Sequence, residues 1–164
     1  MAFFRNNTVN LLNLHYAVHA IAMPGGGAFY CVYLLKSGVP PPGVLAAMAA
    51  ILLARFVIRP AIVPLSVRFG MKPMVIAGTF AAALQYRIIP HVHGVDRMLG
   101  LLILVSATSD TIYWSTYHAY FAALGDKEHR GQQTSTRAAR TALVGIVSPL
   151  FTGWVLVTFG PLAA

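Results

Sequence analysis

The sequence predicts an all-α, polytopic membrane helix bundle of about five transmembrane helices, forming one transmembrane domain over residues 1–164. Three observations predict it. Hydrophobic residues make up 57% of the chain and charged ones only 10%. Soluble domains carry roughly 25% charged residues, so much of this apolar surface needs lipid as its solvent. The charges are also clustered, which leaves apolar stretches long enough for the ~20 residues of helix that cross a bilayer. Finally, the net charge of +8, from 12 Lys and Arg against 4 Asp and Glu, gathers mostly at the ends of those stretches. There it orients a membrane protein. No basic face with interleaved aromatics appears, so nucleic acid is not an expected partner.

The first span is expected over about 8–35. It contains Pro24 followed by Gly25, Gly26 and Gly27, where a kink and close backbone approach are expected. A turn with Lys36, Gly38 and the prolines 40 to 42 follows. The second span, about 43–65, carries Arg55 and Arg59 one turn apart, with Pro60 and Pro64. A short basic loop, 66–72, leads to a third span over about 73–89, opened by Pro73, a favourable first helical residue. Residues 90–97 form the next turn. The fourth span, 98–124, holds Asp110 and the aromatic run Tyr113, Trp114, Tyr117, His118 and Tyr120. The longest polar stretch, 125–137, separates it from the fifth span over about 138–159. No cleavable signal peptide is expected, because Met1–Asn13 lacks a compact apolar core before a small-residue site. The one cysteine, Cys31, cannot form an internal disulfide.

Orientation follows from the basic residues at the span ends. Arg5, Arg55, Arg59, Arg68, Lys72, Lys127, Arg130, Arg137 and Arg140 fall on one side, and Lys36, Arg87 and Arg97 on the other. Nine against three puts the N-terminus on the cytoplasmic side of a plasma membrane, the inner membrane in a bacterium.

The 66–72 loop carries a pattern. Val63-Pro64-Leu65-Ser66-Val67-Arg68-Phe69-Gly70-Met71-Lys72-Pro73 resembles the loop between the second and third helices of the major facilitator superfamily, roughly G-x-L-[AS]-D-R-x-G-[RK]-[RK]-x. Leu65, Ser66, Arg68, Gly70 and Lys72 match. Val63, Val67 and Met71 replace the leading Gly, the Asp and the first basic residue. In the family that Asp takes part in a charge lock on the inner gate, so the lock is absent here or built differently. In the fifth span, Gly145-Ile-Val-Ser148-Pro149-Leu-Phe-Thr-Gly153 is similar to the G-x-x-x-G-P-x-x-G-G motif of the family's antiporters, with Ser148 in place of a Gly. The resemblance implies a major-facilitator-like N-terminal half, with Arg68, Gly70 and Lys72 as the gating loop. It implies a secondary active transporter that moves a small solute by alternating access, driven by an ion gradient as symporter or antiporter. The family's full form has twelve helices in two halves, so a second half is expected from the rest of the gene or from a partner membrane chain. The alternative is a non-transporting assembly factor or a subunit of a larger membrane complex.

Asp110 lies about midway along the fourth span, where an acid costs ~2.5–3.5 kcal/mol on insertion scales. It is expected to face the bundle interior, either as a proton- or cation-coupling group or in a fixed ion pair. Arg55 is its expected partner. Both are the thirteenth residue from the outer end of their spans, ~18 Å down at 1.5 Å per residue. Ser106, Asp110, Tyr113, Trp114 and Tyr117 share a helical face, which suits a pocket wall for a small organic molecule. Tyr117 and Tyr120 read better as an interfacial belt. His15 and His19, one turn apart on the first span, are read with Asn10 and Asn13 as cavity lining rather than a metal site, since no further ligands cluster with them. His118 is either a proton relay or a simple hydrogen-bond partner. Gly145, Pro149 and Gly153 read as a helix-packing face. No phosphate-binding Gly-rich loop, nucleophile elbow or HExxH pattern occurs. No enzyme activity and no cofactor are therefore expected; the expected partners are the lipid bilayer and a small solute.

Overall fold

The computed structural model describes residues 7–124 and 130–160, apart from the side chains of residues 7, 8, 22–26, 28, 130, 133, 136 and 140. Every regular element among them is helical: α1 (Asn7–Lys36), α2 (Pro41–Phe69), α3 (Met71–Ile88), α4 (Arg97–Leu124) and α5 (Arg130–Phe159), with one 3-10 turn at Ile89–His91. Three helices are long and apolar enough to cross a membrane: α2, α4 and the Arg137–Phe159 part of α5. Outward-facing side chains such as Phe56, Leu150 and Val157, 77%, 73% and 89% exposed, suit a lipid surround.

Of the five expected spans, three meet both criteria among the described residues. α3 has 18 residues and carries Lys72, Gln85 and Arg87. α1 contains residues outside the described set, including the side chains of the expected kink at Pro24–Gly26.

Two expected loops are largely helical. α2 continues through Arg68 and Phe69, and α3 begins at Met71, so the expected 66–72 loop shrinks to one residue, Gly70. Its φ of +85° is a conformation that only glycine adopts without strain. The Gly70 N–H donates to the Ser66 carbonyl at 3.0 Å, closing the last turn of α2. Residues 130–136, expected in the polar connector, form the first turns of α5. Propensity there is mixed, Arg130 and two Gln against Gly131, Ser135 and two Thr, and polarity alone does not distinguish a loop from a helix outside the membrane. Asp126, Lys127, Glu128 and His129 lie outside the described residues.

The chain divides into two compact units, Tyr30–Tyr120 and a second comprising Met1–Phe29 with Phe121–Ala164. In the first, the apolar core gathers where the elements turn. Leu34, Val39, Val44, Ala47, Ile88, Ile89, Val92, Leu99 and Leu102 pack together there. Asp96 caps α4, accepting from the Leu99 N–H at 2.8 Å and the His93 N–H at 3.0 Å. These bonds, the Leu99 one foremost, hold its carboxyl below the usual carboxylate range. α2 opens with prolines at its first two positions, where no N–H is missed.

In the second unit α1 and α5 run parallel. Arg137 lies over the Tyr16 ring, Ser148 Oγ donates to the Ile21 carbonyl, and a Cβ on Gly153 would stand 3.4 Å from Phe29 Cζ. These contacts place Ser148 and Gly153 on the packed face. Gly145, expected to pack with Gly153, faces open space, because the contacts with Ile21 and Phe29 begin at Ser148.

Candidate functional site

Arg55 and Asp110 sit on α2 and α4, both in the Tyr30–Tyr120 unit. Arg55 Nη1 donates to Asp110 Oδ2 at 3.3 Å. The side chains remain 32% and 19% exposed, so the pair is half-sheltered rather than sealed. Further along, the Ser66 and Thr116 hydroxyls meet at 3.4 Å. Residue numbers rise together on both helices, so α2 and α4 run in the same direction here.

The carboxylate of Asp110 lies within electrostatic reach of the phenols of Tyr30 and Tyr86. The buried hydroxyls of Tyr30 and Ser106 lie side by side, and no hydrogen bond of normal geometry ends on either oxygen among the described residues. The Arg55–Asp110 pair thus has two phenols within its electrostatic reach, one of them beside a serine hydroxyl. Such a group can hold a proton on the carboxylate, release Arg55 when it does so, and hydrogen-bond a polar solute.

Neither Tyr30 nor Tyr86 was singled out in the sequence. Each lies near the end of its helix, so only tertiary packing brings it within reach of Asp110's charge. Gly78 was missed as well. A Cβ there would stand 2.8 Å from the Tyr113 backbone nitrogen and 2.9 Å from its Cα, so glycine lets α3 approach the α4 backbone. A signal was present, since Gly78 stands in the small-residue run Ala77-Gly78 and Ala81–Ala83.

The aromatic run of α4 divides. Tyr113 and Tyr117 are buried, 1% and 0% exposed, and stack at 5.7 Å. This corrects the interfacial-belt reading of Tyr117, whose ring is directed inward by the helical turn that it shares with Tyr113. Trp114 is only partly buried; its ring meets Tyr113 edge-on at 5.4 Å and stacks on His118 at 5.6 Å. With Ser115 and His118, it lines an open groove of about 590 Å³ whose α2 side is Arg55, Arg59 and Val63.

The other residues singled out in the sequence lie elsewhere. Asn13, His15 and His19 belong to the second unit, where the two histidine rings stack at 6.5 Å and Asn13 and His19 are buried. Arg68 lies over the Phe69 ring at 5.4 Å, at the end of α2. Lys72 opens α3. Comparison with family models, curated proteins and solved structures finds no match.

Proposed function

We propose that this chain is the N-terminal part of a major-facilitator-like secondary transporter. It would cross the plasma (bacterial inner) membrane five times with its N-terminus in the cytoplasm and carry a small solute by alternating access, coupled to an ion. The observation that carries the reading is the Arg55–Asp110 pair, placed midway along two long apolar helices that run in the same direction. An ionisable pair at such a position marks a substrate or ion pathway. The parallel course of α1 with α5, and of α2 with α4, supports five alternating spans.

In this reading Asp110 binds and releases the coupling proton. Arg55 holds the carboxylate when it is ionised, or contacts the solute when it is not. Trp114 and Tyr113 belong to the pocket wall, and Arg68, Gly70 and Lys72 to the cytoplasmic gate. Alternating access needs two halves rocking about a midplane site, so a second half from the same gene or from a partner chain completes the transporter.

The test is flux in proteoliposomes holding the chain with its complementary half. Uptake that follows an imposed proton gradient and is lost in Asp110→Asn supports the reading. Uptake that ignores both contradicts it. A second reading, a non-transporting subunit of a membrane complex, is favoured by Val67 at the position of the family's gating Asp. It predicts no flux and stable co-purification with other membrane chains.

A further inference from the structure

The α2–α4 groove contains more positive charge than the transport reading uses. Arg55 and Arg59 lie one turn apart on α2, about 6 Å along the axis, and both line it. Asp110 neutralises one of them through a single Nη1 contact. Arg59 has no carboxylate partner among the described residues. It lies ten residues before the end of α2 at Phe69, ~15 Å of helix, and between the outward-facing Phe56 and Val63, 77% and 69% exposed. A guanidinium at that depth on an apolar flank is poorly placed for water and well placed for an anion.

The opposite wall is suited to the same ligand. Ser115 offers a hydroxyl, and His118 an imidazole whose ring is fixed by stacking on Trp114. Arginine forks match the oxygens of a carboxylate or phosphate. Val63 and the Trp114 ring add apolar and aromatic surface beside those donors. Such a site accommodates an anionic oxygen group attached to an apolar body.

We infer that the groove formed by Arg55, Arg59, Val63, Trp114, Ser115 and His118 is a binding site for an amphipathic anion, its phosphate or carboxylate held by the two arginines and its apolar portion by Trp114 and Val63. The ligand is either a soluble organic anion or the headgroup of an anionic lipid, and both present the same chemistry. The inference goes beyond the transport reading and stands without it, because binding here requires no second half and no flux.

Trp114 supplies the readout. The only other tryptophan, Trp154, is replaced in a Trp154→Phe background. The full chain is placed in phosphatidylcholine nanodiscs and titrated with n-butyl phosphate, with n-butanol as the neutral control of equal tail length. In a second arm, phosphatidylglycerol replaces a third of the phosphatidylcholine. Each arm is repeated with Arg59→Gln and Arg59→Lys. Arg59 is exposed, so these substitutions leave the fold intact, which far-ultraviolet circular dichroism checks. A saturable change in Trp114 emission with butyl phosphate but not butanol, weakened at least tenfold by Arg59→Gln and largely kept by Arg59→Lys, supports a soluble-anion site. The same dependence seen only with phosphatidylglycerol supports a lipid-headgroup site. No response in either arm, or a response that Arg59→Gln leaves unchanged, overturns the inference.

Discussion

In the unit of residues 1–29 and 121–164, the guanidinium of Arg137 lies over the rings of Tyr16 and Phe121, at 5.6 and 4.8 Å. In the Tyr30–Tyr120 unit, that of Arg55 meets the carboxylate of Asp110 at 3.3 Å. Both are cations on long apolar helices, set against partners of different chemistry. A ring attracts a cation through its quadrupole, an attraction that needs no change of protonation. A carboxylate can take up a proton and release its partner. The first arrangement can only anchor, whereas the second has the chemistry of a switch. Helix approach differs in the same way. Gly78 admits the α4 backbone to contact distance, whereas Gly145 faces open space.

The largest expected effect breaks this last contrast. Gly78→Val should destabilise the protein by about 3 kcal/mol, because its Cβ falls on the Tyr113 backbone. Gly145→Ala should change stability by less than about 1 kcal/mol. Thermal unfolding in detergent micelles compares the two. A smaller effect from Gly78→Val than from Gly145→Ala would refute the close approach.

Next comes the switch. Asp110→Asn leaves Arg55 without its counter-charge and should cost about 1–3 kcal/mol. Its partial exposure keeps it below the ~3–5 kcal/mol of a fully buried pair. Adding Arg55→Gln should recover part of that loss, and a double-mutant cycle should show coupling of about 1 kcal/mol. Additive losses would mean that the two side chains do not interact in the membrane.

The anchor is weaker. Arg137→Gln should cost about 1 kcal/mol, and Arg137→Lys less. Neither should alter the response of the protein to pH between 5 and 8, which separates an anchor from a switch.

The smallest effect is at the α3–α4 turn. Asp96 titrates below the usual carboxylate range when folded. Its contribution is therefore complete above the unfolded Asp pKa of about 3.9 and is lost as the pH falls through the lower folded value. Asp96→Ala should lower the melting temperature slightly at pH 7, and the difference from the unmodified protein should vanish in acid.

Sequence reasoning reached the helices because lipid demands long apolar runs. The expected fourth span, 98–124, matches α4 within one residue. It misplaced the breaks. Gly70 alone suffices as a turn, and a pattern of polar residues cannot distinguish a loop from the polar first turns of α5. Pairing Arg55 with Asp110 was legible because rare charges at equal depth have few alternatives. Tyr30, Tyr86 and Gly78 were not legible, since their roles depend on which helices meet and at what distance. Arg59 was visible as a charge, but its groove exists only once α2 and α4 are side by side.

The most direct test of the switch is the Arg55–Asp110 distance in a lipid membrane. Solid-state NMR dipolar recoupling between 15N-guanidinium arginine and 13Cγ-aspartate, with the chain in liposomes, measures it. The structure predicts strong dephasing of an aspartate signal from a nitrogen in direct contact, absent in both Asp110→Asn and Arg55→Gln. An Asp110 resonance that shows no dephasing would place the carboxylate away from Arg55 and contradict the account.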